Sequence, residues 1–156
     1  MKFGVEGVTI RRMTTADLDH VLAIAQSFPQ APQWPRPAYL TALNPESAPR
    51  RIALAAAGPG SLFGFAVARL LPPQAELETI AVAPDSQRRG LGQFIFRALV
   101  TELKAAGVGE LLLEVRVSNG AALDFYQAVG FIQTGLRPGY YADPKEDAVL
   151  MRFALT

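Results

Sequence analysis

Residues 76–99 read Glu-Leu-Glu-Thr-Ile-Ala-Val-Ala-Pro-Asp-Ser-Gln-Arg-Arg-Gly-Leu-Gly-Gln-Phe-Ile-Phe-Arg-Ala-Leu, and no other stretch constrains the fold as much. Residues 77–82 form a short apolar run of strand length. Leu91, Phe94, Ile95, Ala98 and Leu99 then recur at helical spacing. Between them, Gly90 and Gly92 remove side chains that would hold a ligand away from the backbone. The new helix leaves its first N–H groups unpaired at its positive dipole end. Arg88 and Arg89 add fixed positive charge at the same corner, so the stretch is read as an anion trap.

Two nucleotide-binding motifs share this strand, loop and helix layout, and spacing excludes both. The Walker pattern requires Lys and a hydroxyl residue after its second glycine, where this chain has Gln93 and Phe94. The dinucleotide fingerprint requires a third glycine at position 95, which is Ile.

Composition narrows the remaining chemistry. A chain of 156 residues, 50% of them hydrophobic, suits a single domain spanning 1–156. A net charge of +1 lacks the electrostatic footprint of a nucleic-acid binder. There is no cysteine, which removes disulfides, thiolate metal sites and cysteine nucleophiles together. The single His20 cannot form a metal site alone and is read as a surface or boundary residue. No apolar run reaches the roughly 18 residues of a membrane span, and residues 1–10 lack the apolar core of a signal peptide. A soluble cytoplasmic protein with no membrane partner is expected.

Along the chain, a first strand is expected over 5–12. A helix capped by Thr14 or Thr15 follows, with Leu18, Val21, Leu22 and Ala25 on its apolar face. Four prolines between 29 and 37 break the chain around Trp34, and a short helix is expected over 36–43. Segments 51–57 and 61–70 flank Gly58-Pro59-Gly60 as a hairpin, and 75–82 is the next strand. After the helix opened by the glycine loop come a strand over 111–117, a helix over 121–129 closed by Gly130, and a strand beginning at Phe131. A last strand over 148–154 follows an excursion over 137–146. Crossovers through two helices imply an α/β (α+β) architecture, a mixed sheet with helices on both faces.

Several residues carry candidate chemistry. Glu114 sits mid-strand between apolar neighbours, where an ionised carboxylate requires a partner or a function. Its structural alternative is an ion pair with Arg116 or with an arginine on a neighbouring strand. Tyr126 lies on the helix that Asn119 can cap. A phenol of pKa about 10 stays protonated at neutral pH and can donate to a leaving group, or it can pack beside Phe125. Tyr140 and Tyr141 occupy a Pro-Gly-interrupted segment where exposed aromatics bind partners or pack as satellite core.

The run Gln87-Arg88-Arg89-Gly90-Leu91-Gly92 matches [RQ]-x-x-G-x-[GA], and in it the chain resembles the GNAT superfamily of acetyl-CoA-dependent N-acyltransferases. The resemblance extends through Leu113-Glu114-Val115-Arg116, Ser118-Asn119, Tyr126, Gly130-Phe131, Arg137, Tyr140-Tyr141, Glu146-Asp147-Ala148 and Met151 to the bacterial ribosomal-protein alanine N-acetyltransferases within that superfamily. It covers roughly the last eighty residues densely and the first seventy in layout.

It implies a GNAT fold, with about seven strands splayed between the fourth and fifth and about four helices. Backbone groups of Ile80, Ala81 and Val82 would hold pantetheine. The loop from Gln87 through Arg88, Arg89, Gly90, Leu91, Gly92 and Gln93 would hold the pyrophosphate, and Asn119 would meet the CoA arm. Glu114 is implied as base, with Glu76 and Glu78 as rivals, and Tyr126 as general acid. Trp34, Glu76, Glu78, Arg137, Tyr140 and Tyr141 would surround the acceptor. The implied activity is acetylation of a protein or peptide N-terminus in a ternary complex, without metal, by a monomer or weak dimer. A small-molecule amine acetyltransferase and a non-catalytic CoA-binding module are the alternatives.

Overall fold

The computed structural model describes residues 6–155, and those residues build one seven-stranded mixed sheet in the order β1-β2-β3-β4-β5-β7-β6. Strand β1 is Thr9–Arg12, the later part of the expected 5–12; residue 5 lies outside the described residues. A capping box between Thr14 and Asp17 opens the first helical segment: Asp17 Oδ2 accepts the Thr14 N–H at 2.8 Å and also pairs with Arg11 at 2.7 Å. That segment starts as a 3-10 turn, Thr15–Asp17, and becomes α1, Leu18–Gln26. Helix α2 occupies Arg36–Leu43 as expected, with Pro37 in its first turn and Tyr39 and Ala42 buried.

Strands β2, Arg51–Gly58, and β3, Ser61–Leu71, form the hairpin, and β4, Gln74–Val82, follows antiparallel to β3. Helix α3, Leu91–Ala105, crosses to β5, Glu110–Arg116. Helix α4, Gly120–Val129, ends at Gly130, whose φ of +118° only glycine adopts without strain.

Strands β2 and β3 are covered on both faces. One core joins Leu54, Ala66, Leu77, Leu111, Leu113 and Met151 to Ile95, Leu99 and Leu103 of α3, with α4 packed beside them. The other joins Ala53, Ala55, Phe65 and Val67 to Leu18, Val21 and Ile24 of α1 and Tyr39 of α2. Strand β5 adds nothing buried to this second core. Its odd residues enter the first core, and its even residues face the side that α1 and α2 leave uncovered.

The expected excursion over 137–146 is corrected. Strand β6, Ile132–Tyr141, runs through most of it to a short turn, and β7 begins at Glu146 and ends at Ala154. Pro138 and Gly139 signalled a break, but β6 is an edge strand, where the missing proline N–H costs no ladder bond. Gly139 takes φ +60° and donates its N–H to Asp147 Oδ1 at 2.8 Å, which keeps the irregular stretch attached to β7.

Candidate active site

Strands β4 and β5 run parallel and pair at three positions: Gln74 with Glu110, Ala75 with Leu111 and Glu76 with Leu112. Beyond these pairs β4 continues to Val82 and β5 to Arg116 while the two strands part. A local cause lies on β4. Val67 of β3 faces Thr79 and the next residue, Ala68, faces Leu77, so Glu78 is an extra residue in the ladder. Such a bulge bends its strand and increases its twist. It falls just past the last β4–β5 pair, where the splay opens.

Backbone groups at the gap follow from strand alternation. Ala83 donates its N–H to the Phe63 carbonyl at 2.8 Å, so Ala81 also faces β3, whereas Ile80 and Val82 turn their N–H and C=O groups toward the gap. Of the three expected backbone contacts, the alternation therefore leaves Ile80 and Val82. Gln87 folds its side chain back, Nε2 donating to the Val82 carbonyl at 3.2 Å. The turn that follows carries positive φ at Arg88 (+65°) and Gly90 (+76°). Phe94 donates the first intrahelical bond, to the Gly90 carbonyl at 3.0 Å, so the N–H groups of Leu91, Gly92 and Gln93 open outward at the start of α3. Gly92 has a second reason to be glycine: a Cβ there would come 3.0 Å from Phe125 Cε1, where α3 meets α4. The Arg89 guanidinium lies over the Phe63 ring, and Arg88 is exposed.

Three glutamates gather where the strands part. Glu78 is held by Arg51 of β2 through Nε at 2.7 Å and an Nη at 3.3 Å, and Arg51 in turn lies over the Trp34 ring. Glu76 pairs with its cross-strand partner Arg69 at 2.7 Å. Its carboxyl is raised above the usual range, chiefly by burial, with the nearby Glu78 and Glu114 charges adding and Arg69 opposing.

Glu114, on the uncovered face of β5, makes an ion pair with Arg137 at 3.2 Å. Neither sequence alternative supplied this partner: Arg116 pairs with Glu146 instead, and Arg137 is on β6, one strand beyond the neighbour β7. The Tyr140 hydroxyl also hydrogen-bonds to Glu114, which together with the carboxylate's charge raises the Tyr140 pKa.

The aromatic residues divide by surroundings. Tyr140 lies under the Arg137 guanidinium and Tyr141 under that of Arg116, the two rings 5.0 Å apart. Burial pushes the Tyr141 phenol up to about 12. Tyr126 packs edge-on against Phe125 and Phe131, and burial, then the neighbouring Tyr141, hold its phenol far above the ordinary value. Asn119 acts as the N-cap of α4, its Oδ1 accepting the Ala122 N–H at 3.3 Å. Trp34 stacks on Tyr39 at 5.1 Å at the margin of the second core.

The sequence profile of the Acetyltransferase (GNAT) family matches residues 18–131, from the start of α1 to the residue before β6. The chain belongs to the GNAT acetyltransferase family. The N-alpha-acetyltransferase RimI of Mycobacterium tuberculosis is 37% identical over 157 residues, covering 97% of this chain and 96% of its own. The [ribosomal protein bS18]-alanine N-acetyltransferase of Escherichia coli strain K12 is 40% identical over 99 residues, 62% of this chain and 67% of that enzyme. The crystal structure of the ribosomal-protein-S18-alanine N-acetyltransferase from Escherichia coli superposes with a TM-score of 0.80 at 33% identity, covering 96% of this chain and 94% of that one.

GNAT acetyltransferases take their acetyl group from acetyl-CoA, and this GNAT chain has the features such a donor requires. Outward N–H groups at the start of α3 suit a pyrophosphate, and the strand-edge groups of Ile80 and Val82 suit the amides of an extended arm. Among the described residues no cluster of ligating side chains could hold a metal, and no helix is long and apolar enough to cross a membrane. Arg51 and Arg69, which fix two of the three glutamates, escaped sequence reasoning. Their signal was weak: one arginine near the end of each hairpin strand away from the turn, only Arg69 of them facing the acidic strand β4 directly.

Proposed function

We propose that this chain transfers the acetyl group of acetyl-CoA to the α-amine at a protein N-terminus, by direct attack in a ternary complex within one domain. The observation that carries this reading is Glu114: a carboxylate on the helix-free face of β5, beside the gap, held by exposed side chains. The names of the Mycobacterium tuberculosis and Escherichia coli relatives support an N-terminal acceptor, and the second of them supports a ribosomal protein.

Glu114 serves as the base. Glu78 is tied down by Arg51 with both side chains mostly buried, and Glu76 is engaged by Arg69. Glu114's partner Arg137 is half-exposed and can yield to an incoming amine. An α-amine has a pKa of about 8, against about 10.4 for lysine, so a carboxylate can take its proton near neutral pH with less difficulty. As the amine nitrogen bonds to the acetyl carbon, its proton passes to Glu114, and the Val82 N–H meets the developing oxyanion. The C–S bond then breaks.

Tyr126 donates a hydrogen bond to the sulfur as negative charge gathers there. Its raised pKa favours hydrogen-bond donation over early loss of its own proton. The loop from Gln87 to Gln93 and the cap region at Asn119 serve the donor, while Trp34, Arg137, Tyr140 and Tyr141 border the acceptor.

The test is mass spectrometry of peptides beginning with alanine or serine after incubation with acetyl-CoA. A mass gain of one acetyl group on the α-amine is expected. Turnover of polyamines with none on such peptides would overturn the acceptor assignment.

A further inference from the structure

The groups assigned to catalysis are divided between two wings of the sheet. Val82 and the glycine loop belong to the wing of β1 to β4, whereas Glu114 and Tyr126 belong to that of β5, α4, β6 and β7. The β4–β5 pairing joins these wings at the closed end of the splay, away from Val82 and Arg116.

At the open end a side chain crosses between them. Gln30, in the connection from α1 to α2, donates through Nε2 to Ser118 Oγ at 3.0 Å and to the Ser118 carbonyl at 3.3 Å, in the link from β5 to α4. Both ends of this contact are braced. On the first wing, Gln33 Nε2 donates to the carbonyls of Ala25, Phe28 and Ala31 and gathers the Gln30 connection into a compact turn. On the second, the Ser118 N–H donates to Glu146 at 3.2 Å. Glu146 pairs with Arg116, and Arg116 also donates to the carbonyls of Ala142 and Pro144. The next residue, Asn119, caps the helix that carries Tyr126.

We infer that Gln30 is a positioning residue for acetyl transfer: its bond to Ser118 spans the open end of the splay and sets the separation of Tyr126 and Glu114 from the Val82 N–H. The inference rests on the acetyltransfer reading above. Acetyl transfer asks groups on both wings to meet one tetrahedral centre, and small misplacements of such groups are costly. Gln30 touches none of the reacting atoms; it acts through the rigid link at Ser118.

The experiment compares the wild type with Gln30→Ala and Gln30→Lys, the latter keeping a donor of similar reach. Steady-state turnover of an Ala-initiated peptide is measured beside acrylamide quenching of Trp34, the single tryptophan, which shares the connection with Gln30. Loss of one hydrogen bond of this kind shifts an equilibrium by roughly two- to tenfold. Gln30→Ala is expected to lower kcat by about that factor, to raise the peptide KM by less than kcat falls, to leave the melting temperature unchanged, and to raise Trp34 quenching. Gln30→Lys is expected to restore most of both losses.

A rise in peptide KM at unchanged kcat would overturn the inference by making Gln30 an acceptor contact. Unchanged Trp34 quenching in Gln30→Ala would overturn it by showing that the bond holds nothing in place. Wild-type protein that acetylates no peptide would count against the acceptor reading instead, and the Trp34 measurement would still test the crossing.

Discussion

Glu114 and Arg137 meet at 3.2 Å across an intervening strand, so the carboxylate proposed as base is held from β6 although it belongs to β5. Glu114→Gln keeps the size and the capacity to accept from Tyr140 but cannot take a proton. It is expected to lower kcat by about 10²-fold or more, with the acetyl-CoA dissociation constant and melting temperature unchanged. Calorimetric titration with CoA beside peptide kinetics checks both halves.

Glu78→Gln is expected to behave in the opposite way. The Arg51–Glu78 pair is mostly buried, with side chains 17% and 13% exposed, and its loss leaves a largely desolvated guanidinium. Destabilisation of about 1–3 kcal/mol is expected, with kcat per folded molecule retained. Chemical denaturation and an active-fraction-corrected assay separate this ion pair from the base.

Tyr126→Phe removes one hydroxyl from a ring whose packing against Phe125 and Phe131 is otherwise kept. CoA affinity and folding should hold, while kcat falls by about 10²-fold, the low end of what a positioned acid or donor contributes. Equal turnover by the variant would remove Tyr126 from the chemistry.

Asp17 gives a pH dependence of stability with a definite sign. The Arg11 guanidinium, more than the Thr14 N–H, holds its carboxyl down to about 2 from an ordinary 3.8, against the opposing effect of burial. Because the folded pKa is depressed, the stabilisation is complete above about pH 4 and is lost as pH falls toward 2. With Arg11 42% exposed, solvent screening discounts it to about 1 kcal/mol. Asp17→Asn should therefore melt lower than wild type at pH 6, and the difference should shrink between pH 4 and pH 2.

Gly64 lies opposite Val82 on β3, and a Cβ there would come 2.7 Å from the Ala81 carbonyl oxygen and 2.9 Å from Ile95 Cδ1. The first is backbone and cannot swing aside. Gly64→Ala should destabilise by about 1–3 kcal/mol and weaken acetyl-CoA binding by displacing β4. A thermal melt beside a CoA titration measures the two effects.

The loop was legible because its logic is local: Gly90, Gly92 and a helix start are read within a few residues. Glu114 stood out as a candidate because it is the one acid within the expected strand 111–117, flanked by Leu113 and Val115. What stayed hidden depends on register. The extra residue at Glu78 leaves no mark in composition, and a one-residue offset between β3 and β4 is set by pairing rather than by propensity. The partners Arg51, Arg69 and Arg137 come from three other strands, so spacing along the chain could not assign them. The stretch after Arg137 was misjudged because Pro138 and Gly139 signal a break in a central strand but are tolerated at an edge.

The parting of β4 from β5 also means that this sheet has an edge in its middle. Ile80 and Val82 turn backbone groups toward the gap, away from β3, as at a sheet's rim where such groups recruit a foreign strand, and the Val82 carbonyl there accepts from Gln87 Nε2. The gap closes at the paired residues Glu76 and Leu112, and Gln30 meets Ser118 across its open end. On the reading proposed above, the donor's extended arm lies along this edge and continues the ladder, so the donor is at once a reactant and the piece that makes the sheet whole.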